Sequence, residues 1–343
     1  MLSRLEQFRS RAWSRKELGS QQTVWVFLGT LAAATLLLAE PGLIVNGLLL
    51  GSTLALGAIG LSLIFGILRF VHIAHGDFMT LGAYVAFFAV VVVFPKVGWT
   101  QVGLGPFTFG YPLLIALPLA LLAVAGVAIG IDRLVYRTLR LRGSPAIVMT
   151  MASLGIAIAL RAIVQMLWGT QPEHYPRLSR DFFQLPLDIR IPPDNLFLGV
   201  VSVSLVAGLF LFLTRTKTGK AMRATADNPE LARISGINTE QIIRWTWILG
   251  ACLAATAGTL LAVSQAQLLP ILGWKVLIPI FAATILGGVG STYGAFVGAL
   301  IVGVSMEAST QWITPSYKPA VAFVIILLVL LLRPNGIFTK EGN

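Results

Sequence analysis

The chain has 343 residues, of which 56% are hydrophobic and only 11% charged, whereas a soluble domain carries about 25% charged residues. Its charges cluster between long uncharged runs, which excludes an ordinary soluble globular domain, and the runs do not alternate apolar with polar in segments of about ten, which excludes a membrane β-barrel. The net charge of +11 calls for no nucleic-acid partner, because membrane proteins concentrate Lys and Arg on their cytoplasmic side.

A helix that crosses the hydrocarbon core needs roughly 20 mainly apolar residues. Somewhat fewer suffice where flanking residues extend the span, and ten runs follow this pattern, the eighth of them short: 24–39, 43–68, 77–94, 112–131, 145–167, 196–213, 243–263, 276–289, 293–313 and 319–332. The expected fold is therefore all-α, a polytopic integral membrane helix bundle of about ten transmembrane helices. Residues 1–23 form a basic, polar segment. No small-residue cleavage site follows the next run, so 24–39 is expected to remain as a span. Residues 24–333 make the membrane domain, and 334–343 a short tail. The single cysteine, Cys252, lies in an apolar run and rules out an internal disulfide or a cysteine metal cluster; no metal site is expected.

The second run carries Asn46, Ser52 and Thr53, and the fifth carries Gln165. Such residues line a polar path or bond to neighbouring helices, and the second use is the commoner. The sequence HIAHGD follows, with His72, His75 and Asp77 close together. Ionisable groups are expensive in hydrocarbon and mark a pathway or a helix break. Gly76 permits irregular backbone, tolerated at depth where protein or water surrounds it. A helix break is favoured here over direct contact with a solute.

Residues 132–142 hold four basic residues, and the longest connection between spans on the opposite side, 169–195, holds four acids. With the N-terminus placed in the cytoplasm, inner segments hold 16 basic residues and outer ones 6. That bias predicts both termini, and the 214–242 loop, on the cytoplasmic side.

Within this loop the helix punctuation is specific. Asn228 suits an N-cap, Pro229 the first helical position, and Glu230 the positive end of the helix dipole. Leu231 and Ile234 share a face, Arg233 lies between them, and Gly236 is a natural C′ residue. Asn238 followed by Gln241 resembles a capping box that opens the next span. A short amphipathic helix bounded at both ends is either a spacer lying on the membrane or an element that inserts into a groove of a cytoplasmic protein. Capping at both ends favours docking.

Towards the end of the chain, Gly290, Gly294 and Gly298 stand four apart, as do Gly47 with Gly51 and Gly126 with Gly130. This spacing predicts close helix approach. Glu307 is the other acid within a span. An ion-coupled carrier would need such acids, and only Asp77 and Glu307 are available.

Three stretches carry a resemblance. GKAMRATADNPELARISGIN, Gly219 to Asn238, looks like the cytoplasmic coupling loop of the branched-chain amino acid ABC importer permeases of LivH type. GSTLALGAIGLSLIFGILRFVHIAHGDFMTLGAY, Gly51 to Tyr84, resembles the family's early motif. ILGGVGSTYGAFVGALIVGV, Ile285 to Val304, resembles its late glycine-rich motif. The chain departs from the pattern at His72, where the family usually has Asn, and at Ile73, where it has an aromatic residue.

The resemblance implies a permease subunit, not an enzyme, in the bacterial cytoplasmic (inner) membrane. It implies two cytoplasmic ATPase subunits, a second permease subunit of LivM type and an extracytoplasmic solute-binding protein. ATP would be bound by the partner subunits, with no cofactor in this chain, which has no G-x-x-x-x-G-K-[ST] phosphate loop. Branched-chain or other amino acids are the expected solutes, with urea or short amides as the alternative. An ion-coupled carrier acting alone is the rival of another class, and a channel a third.

Overall fold

A computed structural model describes residues 39–99, 107–175, 183–185, 189–333 and 336–338. The expected span 24–39, save Ala39, and the basic segment before it lie outside the described residues. Among the described residues, eight helices are long and apolar enough to cross a membrane. They are α1 (Pro41–Leu68), α2 (His75–Lys96), α3 (Tyr111–Leu141), α4 (Ala146–Trp168), α5 (Pro193–Arg215), α8 (Thr239–Gln265), α10 (Thr292–Gln311) and α11 (Pro315–Leu332). Two short helices, α6 (Lys217–Asp227) and α7 (Pro229–Ile234), separate α5 from α8. A third, α9 (Leu272–Gly287), precedes α10.

Nine of the ten expected runs thus become helices. The 276–289 run begins earlier than expected, at Leu272, and has 16 residues. At 1.5 Å per residue it spans about 24 Å, short of the ~30 Å hydrocarbon core. The long segment 169–195 adds a feature that an all-α expectation lacks, a small antiparallel hairpin of β1 (Phe183–Leu185) and β2 (Ile189–Ile191).

Two helices form the centre. In α1 and α8 respectively, 78% and 83% of the apolar window is covered by protein. Both are apolar or small on every side, which suits a helix surrounded by others. α1 packs along α10, α8 lies against α1, α2 and α3, and α9 sits between α10 and α11. α3, α4, α5 and α11 form the outer layer, where apolar side chains face outward, Leu122 and Met166 among them.

Small residues set the closest contacts, as expected where packing rather than the hydrophobic effect drives helix association. A Cβ on Gly47 would stand 2.6 Å from the Val304 Cα, and one on Gly303 would stand 2.5 Å from the Gly51 Cα. Gly294 and Gly298 face Gly287 and Ala283 of α9 in the same manner. Gly290 departs from this pattern. It lies before the helix, in a turn at φ +90°, and Ser291 caps the helix by accepting from the Gly294 N–H at 3.1 Å. Its role is conformational, since L side chains rarely adopt that region. Gly126 and Gly130 also differ from expectation: neither has a neighbour within 4 Å of an added Cβ, so neither makes a packing seam among the described residues.

Candidate functional site

Helix α7 stands as the sequence predicts. The Asn228 side chain accepts from the Glu230 and Leu231 N–H groups at 3.0 and 2.9 Å, with Pro229 in the first turn. At the other end, the Gly236 N–H donates to the Arg233 carbonyl and the Ile237 N–H to the Ala232 carbonyl, both at 3.0 Å. Gly236 has φ +84°. These paired bonds define a Schellman stop. Ala232 is buried, while Leu231 is 57% and Ile234 81% exposed. The helix therefore rests on its alanine and turns its two large apolar side chains away from the other described residues.

The preceding helix, α6, was not foreseen. Thr216 caps it by accepting from the Gly219 N–H at 3.0 Å, and Gly219 packs closely on the backbone of Leu213. Arg69, in the left-handed region at the end of α1, donates to the Ala226 carbonyl. Arg140 pairs with Asp132 at 2.6 Å and reaches Glu240 at 4.0 Å, joining the end of α3 to the start of α8. The α6–α7 unit is thus fixed to α1 and α5, and lies at the same end of the bundle as the start of α8.

The HIAHGD segment divides into a break and a helix start. His72 lies in the break, wholly buried among Phe70, Phe78, Tyr136 and Trp247; its ring centroid is 5.0 Å from that of Trp247. Neither ring nitrogen has a hydrogen-bond partner. Burial, and secondarily His75, holds its pKa well below the ordinary histidine value, so it is neutral. His75 donates from Nε2 to the Gly57 carbonyl at 2.9 Å. Gly76 packs against the Gly273 backbone of α9. Asp77 accepts two bonds from Arg161 of α4, at 3.1 and 3.2 Å. The Arg161 guanidinium also lies 4.8 Å from the centre of the Trp274 ring of α9. These groups knit α2, α4 and α9 together.

A cavity of about 630 Å³ opens at the end of the bundle opposite α7. It lies between the beginnings of α1, α5, α9 and α11 and the ends of α8 and α10. Asn46 and Thr53, both singled out from the sequence, line it, whereas His72, His75, Gly76, Asp77, Ser52 and Gln165 do not. Thr53 Oγ1 donates to the Leu49 carbonyl at 3.2 Å and lies 3.5 Å from the Ser202 hydroxyl. Asn46 Oδ1 is buried with no hydrogen-bond partner. Three charged side chains border the space: Lys275, Glu307 and Lys318, the last two paired at 2.6 Å.

Sequence reasoning missed Lys275, Lys318 and the partnership of Arg161 with Asp77. The lone basic residue inside the fifth run was the available signal for Arg161, since an intramembrane charge requires a partner.

Comparison with known proteins identifies relatives along most of the chain. The family model for the permease component of branched-chain amino acid transport systems matches residues 43–330. The chain is 33% identical to the high-affinity branched-chain amino acid transport permease BraD of Pseudomonas aeruginosa, over 87% of this chain and 95% of that one. It is 30% identical to LivH of Escherichia coli K12, over 86% and 94% of the two chains. A probable LivH of Methanocaldococcus jannaschii is 29% identical over 88% and 93%. No solved structure matches. With a matched region that runs from the start of α1 almost to the end of α11, the chain is a multi-pass membrane protein that belongs to the family of branched-chain amino acid transport permeases.

Proposed function

We propose that this chain is a membrane-spanning subunit of an ATP-driven importer in the bacterial inner membrane, passing branched-chain amino acids inward by alternating access. The observation that carries this is helix α7, capped at both ends with Leu231 and Ile234 exposed, at the end of the bundle opposite the cavity. In water those side chains gain by burial, and a groove on a cytoplasmic ATPase provides it. The excess of Lys and Arg supports a reading with α7 on the cytoplasmic side and the cavity on the outer side. The outer cavity receives the solute from a binding protein, while two ATPases pull on α7. A second permease subunit of the same general fold completes the pathway. The names of BraD and LivH support the choice of solute.

Reconstitution tests this. Proteoliposomes holding the chain with its second permease and ATPase subunits, supplied with binding protein, should accumulate leucine only when ATP is present on the ATPase side. Uptake driven by an ion gradient with this chain alone would overturn the assignment.

A further inference from the structure

We propose that the outer cavity recognises its solute as a zwitterion, with Lys275 taking the carboxylate and Glu307 the ammonium. The proposal rests on the importer assignment and names the chemistry of its outer site.

The lining separates by polarity. Leu54, Leu198 and Leu261 are almost fully buried and form an apolar wall. Lys275 is exposed, and Glu307 and Lys318 are half-buried. A ligand with an apolar tail and a charged head is the shape such a gradient admits. The volume of about 630 Å³ is within the range of ~300–1,000 Å³ common to small-molecule sites.

The charges narrow the choice of head group. The border has two ammonium groups and one carboxylate. Glu307 is already shared with Lys318, whereas Lys275 has no ion pair among the described residues. A carboxylate therefore has a free partner in Lys275. It is also favoured by the start of α9, whose first turn, containing Lys275, holds no acid. A bare amine would meet two like charges and only a shared carboxylate. An ammonium joined to a carboxylate escapes that penalty, because its own carboxylate offsets the lysines. Among solutes with an apolar tail, an α-amino acid meets all of these conditions.

The test uses the whole transporter in proteoliposomes without binding protein, which would impose its own selectivity. A Gln265→Cys label site, exposed on the cavity border, is introduced with Cys252→Ser, and labelling by an impermeant maleimide is timed. Leucine at millimolar concentration should slow labelling severalfold. Leucinamide, which lacks the carboxylate, and 4-methylpentanoate, which lacks the ammonium, should leave the rate unchanged. Lys275→Gln should abolish protection by leucine. As Lys275 is exposed and has no ion pair among the described residues, this variant should keep normal yield. Equal protection by all three compounds, no protection by leucine, or undiminished protection in Lys275→Gln would overturn the proposal. ATP-driven uptake by the wild-type complex with binding protein is measured in parallel. Its absence would overturn the importer assignment, while the labelling pattern, which needs no ATP, still decides the site.

Discussion

Asp77 and Arg161 are 84 residues apart, and their union decides how three helices sit. The Asp77 side chain is 3% exposed, so its charge survives because Arg161 meets it with two bonds. Removing one member of a buried pair costs about 3–5 kcal/mol, more than the pair contributes over an apolar replacement. Arg161→Met should therefore sharply reduce folded yield in detergent, and Asp77→Asn combined with Arg161→Met should recover much of it. Equal losses in the single and double variants, read by fluorescence-detected size exclusion, would deny the pairing its structural role. His72 gives a second residue-scale expectation. Its folded-state pKa is depressed by burial, while the unfolded chain titrates near the ordinary value of about 6.5. Above that pH both states are neutral and no penalty arises. As pH falls below it the unfolded state takes up a proton that the folded state refuses, so stability drops. His75, Tyr136 and Trp247 face the ring and offer it no carboxylate. Between pH 7.5 and 5.5 the wild-type melting temperature should fall further than that of His72→Phe. The sequence showed that these residues were costly to place, but not their partners, because pairing across 84 positions leaves no local pattern.

At the scale of elements, legibility followed punctuation. Helix α7 was readable to the residue because Asn228, Pro229 and Gly236 are local signals with local causes. Helix α6 has no apolar run, and its cap, Thr216, stands next to the end of a transmembrane span, so nothing in the sequence separates it from a loop. Gly290 was misplaced for a related reason: a spacing of four continues smoothly across a helix start, and only the Ser291 cap reveals where the helix begins. The exposed pair on α7 carries its own prediction. Leu231→Asp with Ile234→Asp leaves the fold of this chain untouched, since both side chains already face outward. In a groove on an ATPase, two carboxylates without partners would each cost on the order of 1–3 kcal/mol or more. Permease yield should remain near normal, the ATPases should co-purify poorly, and uptake should fall with them. Retained association together with retained uptake would reduce α7 to a spacer.

At the scale of the molecule, the hydrophobic runs located nine helices because the bilayer imposes a length on each of them. They marked α9 as a short element, but did not reveal that a cavity fills the space above its start, since depth depends on what the neighbouring helices leave open. Direction is the remaining global property, and charge supplies the expectation: 16 basic residues on the side assigned to the cytoplasm and 6 on the other. The structure makes that bias testable with two sites at opposite ends. Ser235 lies at the stop of α7, and Ser316 lies on the border of the cavity; both are exposed. On a Cys252→Ser background, Ser316→Cys should react with an impermeant maleimide in intact spheroplasts, and Ser235→Cys only after the membrane is opened. Because α7 and the cavity lie at opposite ends of one bundle, the two results must be opposite in any orientation. Labelling of Ser235→Cys from outside, with Ser316→Cys protected, would invert the molecule. It would place the cavity on the cytoplasmic side, where no external binding protein could deliver to it.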